Sequence, residues 1–107
     1  MPATLKEDPI LKRFREAVGK AYGDRLERVV LFGSRARGDH RPDSDYDIAV
    51  FIHHPEDLWD ELGVLADITT EILNNTGVVI SAKPFYAGSY LKRSAFMHEL
   101  RHDGRDL

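Results

Sequence analysis

The 107-residue sequence contains no cysteine, which excludes disulfides, thiolate metal sites and cysteine nucleophiles. It has no excess of basic charge: 15 Lys and Arg stand against 18 Asp and Glu, a net charge of −3. A surface that blankets nucleic-acid phosphates needs the opposite balance, so DNA is not an expected partner. Long apolar runs are missing too. The longest, near residues 48–52, is far too short to span a bilayer, which excludes a membrane helix. The leading MPATLKEDPI lacks the apolar centre of an export signal, so a cytoplasmic location is expected. No repeat, low-complexity tract or Pro/Gly/Ser-rich linker divides the chain, and residues 1–107 read as a single domain. An apolar share of 42% is too high for a disordered chain.

What the sequence does contain is an ordered alternation of helical and β-type segments. Asp8-Pro9 reads as a helix N-cap followed by the first helical position, and Leu11, Phe14, Val18 and Ala21 follow at helical spacing up to a stop at Gly23. Leu26 to Phe32 and Tyr46 to Ile52 read as strands. Pro55 opens a second predicted helix with Leu58, Leu62, Leu65, Ile68 and Ile72 or Leu73 as its apolar stripe, ended by Asn74-Asn75-Thr76-Gly77. Val78 to Ala82 is a third strand, which Lys83-Pro84 ends or marks as an edge. A last helix is expected from about Ser89 or Ser94 to His102, with Gly104 as its stop. The order α-β-β-α-β-α predicts an α/β (α+β) fold, a small mixed β-sheet with helices packed on it. The first two strands have only a loop between them and suit an antiparallel pairing. The helix between the second and third suits a parallel crossover.

The arginines gather in the first half of the chain, and three of them lie in the polar stretch 33–45, GSRARGDHRPDSD. Loops of that length are usually functional or disordered. Asp45 and Asp47 are two apart at the start of a strand, so both side chains point to one face with Cα atoms about 6.5–7 Å apart. Two carboxylates so placed repel each other unless a cation lies between them, and hard oxygen donors with room for water suit Mg²⁺, with Mn²⁺ as an alternative. Gly33-Ser34 ends a strand where backbone N–H groups and a hydroxyl can face an anion. Arg35, Arg37 and Arg41 carry guanidinium groups that grip phosphate oxygens. Each feature alone is ordinary surface chemistry. Together they are the parts a metal-bound nucleoside triphosphate requires.

Two other motifs fail on the same residues. Gly33 and Gly38 have P-loop spacing, but Asp39-His40 stand where Lys-Ser/Thr is needed. Asp43, Asp45 and Asp47 imitate the first ligands of an EF-hand loop, but Ile48 stands in place of its glycine and His54 in place of its glutamate.

Gly33-Ser-Arg-Ala-Arg-Gly38 followed by Ser44-Asp45-Tyr46-Asp47-Ile48 closely resembles the nucleotidyltransferase superfamily of DNA polymerase beta, and the size and element order resemble its minimal members. The resemblance implies a metal-dependent transfer of NMP from an NTP, ATP being the expected one, to a protein or RNA acceptor with release of pyrophosphate. It assigns Gly33 and Ser34, with Arg35, Arg37 and Ser44, to the nucleotide, and Asp45 and Asp47 to the metal as the catalytic pair. It also implies a separately encoded helical partner of the HEPN type, as in toxin–antitoxin pairs, or self-association. Family members usually carry a third carboxylate on a later strand. Here that strand reads Gly77-Val-Val-Ile-Ser-Ala-Lys83 without an acid, Ser81 or Ile80 holding the position, while Asp67 and Glu71 on the preceding helix are poor substitutes. One metal ion is therefore expected, and a binding module that neutralises a partner without catalysis is the alternative. The small size further suggests that a second subunit or partner completes the acceptor side.

The remaining polar and aromatic residues carry less. The five histidines read as surface groups; His98 and His102, four apart, lack an evident third zinc ligand. Trp59 lies one position off its helical stripe and reads as a core-edge or partner-contact residue. Phe85, Tyr86 and Tyr90 read as a partner surface or a cover for the sheet edge. Tyr46, between the two aspartates, should face the opposite side of the sheet, into the core.

Overall fold

The structure is a computed structural model, and it describes residues 8–107. The segment read for an export signal thus lies, through residue 7, outside the described residues. Helix α1 spans Pro9–Tyr22 because Asp8 caps it as predicted, its carboxylate accepting from the Ile10 and Leu11 amides. Its buried stripe is Leu11, Phe14, Val18 and Tyr22. Tyr22, four residues beyond Val18, takes the place expected for Ala21, which is exposed. A 3₁₀ turn at Gly23–Arg25 leads into strand β1, Leu26–Phe32. One helical turn, α2, covers Ser34–Arg37 within the long loop, and strand β2 is Tyr46–Ile52.

Helix α3 spans Leu58–Thr76. It starts three residues later than expected because Asp57, not Pro55, supplies the cap, accepting from the Trp59 amide at 2.8 Å. Its inner face is Glu61, Leu65 and Ile72, with Leu62 and Leu73 on the exposed side. Apolar spacing alone could not show this rotation. Arg25, the last residue of the 3₁₀ turn, pairs with the inward acid, its Nη2 2.8 Å from Glu61 Oε2, and makes that burial tolerable.

Strand β3 is Ile80–Tyr86, shifted from the expected 78–82, and it runs through Pro84. β3 pairs with β2 alone and is an edge of the sheet, where one side of the backbone makes no ladder bonds and proline fits. β2 pairs antiparallel with β1 and parallel with β3, as element order suggested. A 3₁₀ turn at Ser89–Leu91 precedes helix α4, Ala95–Asp103, which Ser94 caps through the Met97 amide. Strand β4, Arg105–Asp106, pairs antiparallel with β1 and was not expected from sequence. Two polar residues carry no alternation to read.

The β2 side chains alternate between two cores. Tyr46, Ile48, Val50 and Ile52 join Val29 and Leu31 beneath α1 and α3. Ala49 and Phe51 join Val30 beneath Met97 and Leu100 of α4. On this second face Phe51 stacks on Phe85 with ring centroids 5.4 Å apart, and Phe96 of α4 packs on both Phe32 and Phe85. The same alternation carries Asp47 onto the α4 face. No described helix is long and apolar enough to cross a membrane.

Gly104 is the hinge that returns the chain to β1. A Cβ there would press on the Leu100 carbonyl and come within 2.6 Å of Val30 Cγ1. Gly104→Ala is therefore expected to lower unfolding free energy by about 1–3 kcal/mol through overpacking, measured by chemical denaturation.

Candidate functional site

The site is built where β1 ends beside the start of β2. In the antiparallel register Phe32 faces Asp47, so Gly33 and α2 emerge directly beside that carboxylate. Gly33 adopts φ 74°, a conformation that side chains disfavour, and its carbonyl accepts from the Ala36 and Arg37 amides at 3.1 Å each. A Cβ at Gly33 would stand 2.6 Å from Asp47 Oδ2. The glycine is thus required twice, by its backbone angle and by the aspartate resting on it. Gly38, at φ 84°, ends the turn by donating its amide to the Ser34 carbonyl at 2.9 Å.

The loop beyond α2 is held from inside. Arg35 donates from Nε to the Ser44 carbonyl at 2.8 Å and from Nη2 to the Pro42 carbonyl at 3.1 Å. Its guanidinium carbon lies 4.0 Å from the centroid of the Tyr46 ring. The Tyr46 hydroxyl in turn donates to Asp8 Oδ2 at 2.7 Å. Burial first, and then this bond to Asp8, push the Tyr46 phenol up to about 12, so it remains a donor. Tyr46 is buried, as its place between the two aspartates predicted. Ser44 closes the loop, its Oγ accepting from the Arg41 amide at 2.9 Å. Arg37 stays outside this frame, its Nε 3.3 Å from Asp39 Oδ2 in a largely exposed pair.

Asp45 is exposed and Asp47 half-buried. Burial is the main cause that raises the Asp47 carboxyl above its usual range. Lys83 opposes it, Asp45 adds to it, and Arg37 opposes it. Two carboxylates that disturb each other in this way suit a divalent cation, and their hard oxygens suit Mg²⁺. The described residues hold no group of three or more metal-binding side chains. Two aspartates still fit an ion that keeps waters and takes further oxygens from phosphates.

Sequence reasoning missed neighbours of this site on two elements, α4 and β3. Glu99 and Asp103, four apart on α4, line a cleft of about 140 Å³ with Phe32, Gly33, Arg37 and Phe96. Their helical spacing was visible, but their position beside Gly33 depends on how α4 packs. Lys83 is the neighbour on β3, for the strand that carries it continues beyond its expected end. On β3, Ser81 and not Ile80 lies in register with Asp47. His98 and His102 are exposed, and His102 Nδ1 lies 2.8 Å from Asp103 Oδ1. Trp59 is 76% exposed, outside the core.

Comparison with known proteins shows the family and the fold. Residues 11–96 match the family described as the nucleotidyltransferase domain. A Methanocaldococcus jannaschii protein, provisionally named a protein adenylyltransferase, is 35% identical over 73% of this chain and 72% of its own. The fold is similar to that of a crystal structure provisionally named a nucleotidyltransferase, from Sulfolobus solfataricus, with TM-score 0.64 and 21% identity over 91% of this chain and 75% of that one. It is also similar to a chain of a toxin–antitoxin structure with AMP-PNP, with TM-score 0.58 and 17% identity over 87% of this chain and 68% of that one. The chain belongs to the nucleotidyltransferase domain family.

Two predictions follow from the contact between Gly33 and Asp47. Gly33→Ala should cost about 1–3 kcal/mol in strain and displace the Asp47 carboxylate, seen as a lower melting temperature together with weakened divalent-ion binding. Asp47 binds its proton more tightly folded than unfolded. Its contribution to stability is therefore fully present below the ordinary value of 3.8 and is lost as pH rises through the raised range. In chelator at neutral pH, Asp47→Asn should melt above the unsubstituted protein, and the difference should vanish below about pH 3.8.

Proposed function

We propose that residues 1–107 act as one minimal, metal-dependent nucleotidyltransferase unit. It binds an NTP, ATP before others, as its Mg²⁺ complex and transfers NMP to a hydroxyl of a protein or RNA acceptor. The observation that carries this reading is the seat of the Asp47 carboxylate against Gly33, which supports a metal held by Asp45 and Asp47 next to a triphosphate received by the Gly33-Ser34 turn. The named activity of the Methanocaldococcus relative supports a protein acceptor. The toxin–antitoxin neighbour supports a toxin partner, for which a small helical protein of the HEPN type is the expectation and a second copy of this chain the alternative.

In the transfer, the acceptor oxygen bonds to the α-phosphorus, the bond from that phosphorus to the bridging oxygen of the β-phosphate breaks, and pyrophosphate leaves. The hydroxyl proton passes to solvent, since Ser81 rather than an acid stands beside Asp47 on β3. A bound Mg²⁺ supplies charge neutralisation at the phosphates. Asp45 and Asp47 hold that ion. Gly33 and Ser34 receive the triphosphate end, and Arg37 turns from Asp39 to a phosphate oxygen. Arg35 and Ser44 keep the loop in shape, since their polar groups already bond within it. The cleft beside Gly33 leaves room for a second molecule to approach.

A second reading rests on the same serine. With no acid in register with Asp47, the chain could serve as a binding module that neutralises its partner without catalysis. Labelled ATP, CTP, GTP and UTP, each with Mg²⁺ or Mn²⁺ and a source-cell lysate, decide between the two. Label on a protein or RNA band, reduced at least ~100-fold in Asp45→Asn/Asp47→Asn, is the expected result. No label with retained partner capture would establish the binding module.

A further inference from the structure

The α4 face of the sheet carries few cations, and most are already engaged. Arg28 stacks on Tyr90 at 3.9 Å and pairs with Asp106. Arg37 pairs with Asp39. Lys83 differs. It makes no ion pair or side-chain hydrogen bond among the described residues, and it is exposed on the edge strand β3.

Its direction follows from the sheet. In the parallel register Asp47 faces Ser81, Ala49 faces Lys83 and Phe51 faces Phe85. Phe51 stacks on Phe85, which fixes this set of side chains on the α4 face. Lys83 therefore rises from the same face as Asp47, between Ser81 and Phe85. Its charge reaches the Asp47 carboxyl and opposes the effect of burial there more than Arg37 does.

The two sides of Asp47 are thus unlike. On the β1 side stand Gly33 and α2; on the β3 side stand a hydroxyl and an ammonium. A triphosphate whose β and γ groups lie at Gly33 and Ser34, with its metal at Asp45 and Asp47, extends its α-phosphate toward β3. We infer that Lys83 is a catalytic residue that contacts the non-bridging oxygens of the transferring α-phosphate, a fixed positive charge in place of a second metal ion. The inference rests on the nucleotidyltransferase reading above. Bond formation at phosphorus and loss of pyrophosphate are as already described, and the Lys83 ammonium neutralises the negative charge on the phosphoryl oxygens.

The plain alternative is that Lys83 only guards an open sheet edge against pairing with other chains. Calorimetry on the full chain separates the two, with Mg²⁺–pyrophosphate and Mg²⁺–ATP as ligands. Lys83→Ala should bind Mg²⁺–ATP about tenfold more weakly and Mg²⁺–pyrophosphate unchanged, because only ATP carries the α-phosphate. Lys83→Arg should recover most of the ATP affinity, and an unchanged melting temperature should show that the exposed substitution leaves the fold intact. Equal ATP affinity in Lys83→Ala, or equal weakening toward both ligands, overturns the assignment. Binding of Mg²⁺–ATP by the unsubstituted chain that survives Asp45→Asn/Asp47→Asn overturns the metal-site reading instead. Failure of the unsubstituted chain to bind Mg²⁺–ATP overturns both.

Discussion

A carboxylate resting on a glycine organises this protein. Asp47 Oδ2 occupies the space where any side chain at position 33 would begin, and the positive φ of Gly33 turns the chain into α2 at that same point. The contact joins the two halves of the site, fourteen residues apart in sequence, through the pairing of Phe32 with Asp47. It also accounts for the unfavourable electrostatics there. Asp47 is pressed into a half-buried place beside Asp45, a position that costs stability in the free protein and favours the arrival of a cation. Structure and chemistry thus pull in opposite directions at one residue, as is common where a site must be ready before its ligand arrives.

The second constraint is the frame behind the loop. Asp8 caps α1 and also accepts from Tyr46, whose ring lies under Arg35, whose guanidinium holds the carbonyls of Pro42 and Ser44. The helix at one end of the chain is thereby tied to the conformation of residues 33–45. Tyr46 reaches one face of the sheet while Asp47 reaches the other, so a single strand carries both the support and a candidate metal ligand. This division explains why one arginine of the loop is structural and another remains available. Residue type could not distinguish Arg35 from Arg37. Only their partners do.

Much of this was legible before the fold was known. The cap at Asp8, strands β1 and β2, the antiparallel and parallel pairings and the burial of Tyr46 follow from local capping and strict alternation. The errors have causes that lie far off in sequence. The stripe of α3 was misread at Leu62 because Glu61 turns inward to Arg25, a partner 36 residues away. Strand β3 was cut short at Pro84 because an edge position, which makes proline acceptable, is a property of the sheet and not of the strand. Strand β4 has no apolar pattern and exists because Gly104 lets the chain end fall onto β1.

By itself, then, the sequence determined the order of elements, the family motif and the identity of the two metal-ligand candidates, because each depends on spacing within a dozen residues or so. Tertiary structure decided which groups share the site with them. Glu99 and Asp103 reach the cleft through the packing of α4. Ser81 and Lys83 reach the neighbourhood of Asp47 through the register of a parallel pair joined by a nineteen-residue helix. Register and helix packing are settled by burial of side chains far from the motif, and no local spacing encodes them.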